Sequence, residues 1–82
     1  MEGDREILDI AYVLINIEPG FEKKVLSEIK NLSDVKESHI TFGTYDIIAK
    51  IEVKDSMKMK EYIFNRIRKI ENVRSTITLI KT

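Results

Sequence analysis

The sequence predicts an α+β domain in which an antiparallel four-stranded sheet carries two helices on one face, in the order βαββαβ. Three observations carry this. Runs rich in β-branched and aromatic residues fall at 10–17, 35–42, 46–53 and 73–80. Two intervening stretches change to the three-and-four apolar spacing of an amphipathic helix. The second and third runs are separated only by Gly43-Thr44-Tyr45, a turn short enough for a hairpin and antiparallel pairing.

Each element has a local reason. Ile10–Ile17 is almost continuously apolar, as a strand covered on both faces must be, and Pro19-Gly20 ends it. Over Phe21–Leu32, Phe21, Val25, Ile29 and Leu32 recur at helical spacing while Glu22, Lys23, Lys24, Glu28 and Lys30 fall elsewhere. Val35–Phe42 alternates weakly. Asp46–Val53 alternates strongly, with Ile47, Ala49, Ile51 and Val53 on one face. Asp55 or Ser56 suits a helix N-cap. Met59, Ile63, Ile67 and Ile70 form the next apolar stripe, Asn72 stops it, and Val73–Ile80 closes the chain as a strand. This order is the ferredoxin-like split βαβ arrangement, whose right-handed crossovers put both helices on one side.

Composition limits what such a domain can do. Fourteen Lys and Arg balance fourteen Asp and Glu, which argues against nucleic-acid binding by bulk charge. There is no cysteine and a single histidine, His39, so thiol catalysis and multi-His or Cys metal sites are excluded and no cofactor is implied. No apolar run approaches a membrane span, and the start of the chain is too acidic for a signal peptide, so a cytoplasmic protein is expected. Residues 1–9, with four acids against Arg5, read as a loose leader to a single domain at 10–82. A chain this small buries only about 60–65% of its unfolded surface, so self-association is expected.

The sheet face without helices points the same way. Placing Val13, Ile15 and Ile17 on the helix side sends Tyr12, Leu14 and Asn16 outward, with Ile48 from the third strand. Simple alternation adds Ile40 and Phe42 from the second strand, and Thr76, Thr78 and Ile80 from the fourth. Tyr12, Leu14, Ile40, Phe42, Ile48 and Ile80 are too apolar for a solvated face; the expectation is a two-fold dimer packed through them. Scattered surface apolars are the alternative.

Candidate chemistry concentrates at Thr41–Asp46 and at Arg74-Ser75-Thr76-Ile77-Thr78. Gly43 allows a backbone turn whose N–H groups can hold a carboxylate, Asp46 can receive an ammonium group, and Tyr45 offers an aromatic wall. An ordinary β-turn with Asp46 bonding backbone remains open. Residues 54–69 carry six bases against two acids, with Tyr62 and Phe64 interleaved; this is a phosphate-contacting patch or a solvated helix face. His39 has no catalytic companion and reads as a solvent-facing strand residue. No catalytic residues stand out.

Ala11-Tyr12-Val13-Leu14-Ile15 followed by Glu18-Pro19-Gly20, the Gly43-Thr44-Tyr45-Asp46 turn, and Ile67–Val73 leading to Ser75-Thr76-Ile77-Thr78 resemble, in order and spacing, the effector-binding (RAM) domain of Lrp/AsnC transcriptional regulators. The resemblance implies homodimers joined through sheet faces, rings of octameric or decameric size, and an amino-acid effector held between dimers. Carried over by position, Gly43, Thr44, Tyr45 and Asp46 would frame that effector, with Ser75, Thr76 and Thr78 as hydroxyl contacts. A nine-residue leader is too short for the helix-turn-helix of full-length regulators. The resemblance is therefore to stand-alone RAM proteins, which do not bind DNA themselves and act with full-length Lrp/AsnC-type partners. A ligand-free assembly adaptor and a small dimeric ferredoxin-like enzyme are the competing readings.

Overall fold

The computed structural model describes residues 8–82, and the expected leader lies mostly outside them. Strand β1 spans Asp9–Ile17, helix α1 Glu22–Lys30, β2 Val35–Ile40, β3 Ile47–Val53, helix α2 Ser56–Tyr62 and β4 Val73–Ile80. The sheet order is β2-β3-β1-β4, with every neighbouring pair antiparallel. This is the ferredoxin-like arrangement. Asp9 pairs with Val53, so the first strand begins inside the expected leader.

The element ends follow from local chemistry. Gly20 takes φ +95, a value only glycine adopts freely, and turns the chain from β1 into α1. The Asp55 side chain accepts the Lys58 N–H at 2.8 Å and caps α2 as expected. Asn72, at φ 77, makes the left-handed turn into β4, a conformation asparagine tolerates better than most residues. α2 is shorter than the apolar stripe suggests because Ile63–Ile67 opens into a π-helical turn, with the Arg68 N–H bonded to the Ile63 carbonyl at 2.9 Å. Residues four apart overshoot a 3.6-residue turn by about 40°. The wider turn takes up that overshoot and keeps Met59, Ile63 and Ile67 facing the sheet, all three buried.

The core lies between the helices and one sheet face. Ala11, Val13, Ile15 and Ile17 of β1 and Ile47, Ala49, Ile51 and Val53 of β3 meet Val25 and Ile29 of α1 and Met59, Ile63 and Ile67 of the second helix. These are the helix-side sets that alternation predicts for the two central strands.

The edge strands differ from expectation, for one physical reason at two places. On β4, Asn16 pairs with Ser75 but Ile17 pairs with Val73, leaving Arg74 as an extra residue. On β2, Val35 pairs with Ile51 and Glu37 with Lys50, leaving Lys36 extra. A one-residue bulge flips every side chain beyond it to the other face. Ile40, Thr76, Thr78 and Ile80 therefore lie on the helix side, opposite Ile47, Ile15, Val13 and Ala11. Phe42 lies past the end of β2, fully exposed. Tyr12, Leu14 and Ile48 stay on the open face, joined by Ile77 opposite Leu14 and Leu79 opposite Tyr12. The apolar open face is real, but two of its members come from positions that plain alternation puts inside.

Candidate functional site

Polar side chains from both sequence clusters converge where β1 ends and β3 and β4 begin. Asp46 is placed there by the β2–β3 turn, which is closed by Thr41 N–H to the Asp46 carbonyl at 2.9 Å and the Thr41 hydroxyl to the Tyr45 carbonyl at 2.9 Å. Gly43, at φ +127, is the residue that lets the turn fold back. Asp46 N–H donates to the Ile15 carbonyl at 2.9 Å, and its carboxylate accepts the Ile17 N–H at 2.8 Å. The side chain thereby completes the β1–β3 ladder where the backbone pairing stops.

On the other flank of β1, the Asn16 amide reaches the Ser75 hydroxyl at 3.3 Å. The bulged residue, Arg74, points its guanidinium toward Glu18, with 3.7 Å between Nε and Oε2. Both partners are more than half exposed, so this pair is weak and exchangeable. Glu22, in the first turn of α1, accepts the Gly20 N–H at 3.0 Å. Asn16, Ile17, Pro19, Glu22, Asp46, Arg74 and Ser75 line a cleft of about 520 Å³. That volume suits a small metabolite. Carboxylates and a guanidinium facing one cavity can receive both ends of a dipolar ligand.

The expected residues divide. Asp46 and Ser75, from the two sequence clusters, do meet in this cleft. Gly43 and Thr44 form the exposed tip of the turn and Tyr45 is half-buried beside it; none of the three lines the cleft. Thr76 and Thr78, turned inward by the Arg74 bulge, line a separate groove of about 460 Å³ with Met59, Ile63, Phe64 and Ile80. Sequence reasoning missed Asn16, Pro19 and Glu22 as site residues, and Arg74 was seen only as a neighbour of the hydroxyls. Their signal is faint because three lie around the end of β1, which reads as a strand terminus and nothing more.

The basic stretch at 54–69 does not form one patch. Lys54, Lys58 and Arg66 border a cleft of about 550 Å³ at the far end of the sheet, together with Tyr62 and the acids Asp34, Glu52 and Glu61. Lys60 and Arg68 border the groove beside β4 instead. Arg68 and Lys69 sit 5.6 and 5.3 Å from the centre of the Phe64 ring, a cation–π arrangement. Burial raises the Tyr62 phenol above its ordinary value, partly offset by the hydrogen bond its hydroxyl accepts from the Asp34 N–H at 3.3 Å. His39 stands on the open face, its ring mostly exposed and its Nε2 3.6 Å from Glu37. Among the described residues no three His, Asp or Glu side chains gather as a metal ion would require, and no helix is long and apolar enough to cross a membrane.

Residues 10–81 match the family model described as the Lrp/AsnC ligand binding domain. An uncharacterized HTH-type transcriptional regulator of Pyrococcus abyssi is 32% identical over 73 residues, covering 89% of this chain and 46% of the relative. The chain thus spans about half the length of that curated relative. The crystal structure of FFRP-DM1 superposes with a TM-score of 0.88 at 28% identity, covering 90% of this chain and 99% of that one. The transcriptional regulator NMB0573 of Neisseria meningitidis, solved as a complex with L-Met, superposes with a TM-score of 0.82 over 99% of this chain and 53% of its own; at 11% identity that likeness is one of fold alone. A match across nearly every described residue, an identity above 30% to an HTH-type regulator over this segment and a common fold lead to one conclusion: the chain belongs to the Lrp/AsnC ligand binding domain family.

Proposed function

We propose that this chain is the effector-sensing part of transcriptional regulation. A free amino acid binds in the cleft at the end of β1, and its binding shifts the assembly of dimers that pair through the open sheet face. The observation that carries this reading is the meeting of Asp46, Arg74, Asn16 and Ser75 in one cavity of metabolite size. Asp46 and Arg74 flank β1 from β3 and β4, so a carboxylate and a guanidinium are set two strand spacings apart, roughly 10 Å at the backbone. The α-ammonium group is received by Asp46 and the α-carboxylate by Arg74, with the Asn16 amide and Ser75 hydroxyl beside it. The exposed Gly43-Thr44 tip and Tyr45 form the rim that a neighbouring dimer closes. That residues 10–81 match a family model described as a ligand binding domain supports a small ligand at this site.

Dimerisation is supported by the open face, where half-buried Tyr12, Leu14 and Ile48 adjoin Ile77 and Leu79, 44% and 53% exposed. Dimers associate further into octamers or decamers. The chain acts in the cytoplasm by joining full-length Lrp/AsnC-type regulators and makes no operator contact itself, in keeping with its zero net charge. An effector moves assembly only by its unequal affinity for the two states. Sedimentation velocity with and without a mixture of the proteinogenic amino acids tests this. The expected result is a redistribution between dimer and larger species that D46N abolishes. An assembly state indifferent to every amino acid marks the chain as a ligand-free adaptor and overturns the reading.

A further inference from the structure

The cleft is unevenly charged. Its lining carries two carboxylates, Glu22 and Asp46, against one guanidinium, Arg74. Glu18, outside that lining, stands 3.7 Å from the same guanidinium and offsets part of its charge. The positive end of α1 returns only about half a unit of charge. The hydrogen bonds that Glu22 and Asp46 accept come from backbone N–H groups of Gly20 and Ile17, which hold each carboxylate in place without cancelling its charge.

A neutral amino acid satisfies one ammonium site and one carboxylate site and leaves the surplus negative charge in a closing, drying cleft, where an unmatched charge is costly. An acidic amino acid adds to the surplus. An amino acid with a second cation reduces it. The layout fits such a ligand: Asp46 and Arg74 lie across the sheet, while Glu22 lies off that line on α1, with exposed Pro19 offering apolar surface for a methylene stem. The geometry points to a cationic amino acid, one whose side chain ends in an ammonium or guanidinium group, as the ligand of this cleft, with Glu22 as the residue that selects it. This rests on the effector reading above and adds the ligand's charge class to it.

Isothermal titration of the purified chain with L-lysine, L-arginine, L-norleucine and L-glutamate tests the assignment. Norleucine has lysine's aliphatic stem but lacks its terminal ammonium. The expected result is lysine or arginine binding at least ten-fold tighter than norleucine, with glutamate weakest. E22Q keeps an oxygen to accept the Gly20 N–H but loses the charge, and should bring the lysine-to-norleucine ratio to within about two-fold of unity. If norleucine binds as well as lysine, or E22Q leaves the ratio untouched, the charge-class inference fails while the effector reading stands. If none of these ligands binds and no other amino acid does, both fail.

Discussion

The Asp46 carboxylate accepts the Ile17 backbone N–H at 2.8 Å and so joins the first residue before β3 to the last residue of β1. The same side chain that completes the sheet also faces the cleft. Removing its acceptor leaves a half-buried N–H without its partner, which costs about 1–3 kcal/mol. D46A should therefore lower the melting temperature by several degrees, since about 1 kcal/mol moves a domain of this size by roughly 4–8 °C. D46N keeps an acceptor oxygen and should lose less. Equal melting temperatures for D46A and the parent would show that the bond does not support the fold.

The edge-strand bulges make a sharp prediction for assembly. L14E or I77E places a charge on the open face and should give a monomer by light scattering. I40E, on the helix side of the same sheet, should leave the dimer intact. A monomer from I40E together with a dimer from I77E would reverse the face assignment.

Adjacent hydroxyls on β4 should behave differently for the same reason. Ser75 meets Asn16 in the cleft, whereas Thr76 turns toward the second helix. S75A should weaken amino-acid binding several-fold, and T76V should leave it within two-fold of the parent by calorimetry. Equal losses would place both on the ligand.

Tyr62 gives the fold an alkaline limit. Its folded phenol pKa is raised by burial, so the protonated form is favoured in the folded state. The stability this contributes is complete below the ordinary phenol pKa of about 10 and falls as pH rises through the folded value. Thermal melts at increasing pH above 9 should show the parent losing stability more steeply than Y62F. Parallel slopes would contradict it.

Ile67 is fully buried at the end of the π-helical turn, which aims it at the sheet. I67A should cost about 2–5 kcal/mol in chemical denaturation, the range for emptying a packed aliphatic site. A loss below 1 kcal/mol would mean that the turn leaves this side chain free to be replaced.

The sequence made the fold legible because its central strands, β1 and β3, are dense in apolar residues and pair with each other without a register shift, and both helices announce their apolar stripes. The faces of β2 and β4 were not legible. A bulge at Lys36 or Arg74 inserts one residue without changing composition, and no local pattern distinguishes an inserted strand residue from a paired one. The candidate cleft was half legible. Asp46 and Ser75 stand in clusters of turn and hydroxyl residues, but Glu22 reads as an ordinary first-turn acid. Arg74 comes into the cleft only because the bulge places it there.

The cleft at the end of β1 is proposed as the receptor for an amino acid. A thermal-shift screen of the purified protein against each proteinogenic amino acid tests this most directly. A ligand at 100 times its dissociation constant adds about 2.7 kcal/mol to the stability of the bound state, on the order of ten degrees for a domain this small. The predicted result is a selective rise with one or a few amino acids that R74Q and D46N both abolish. No rise with any amino acid, or a rise that survives in both variants, would contradict it.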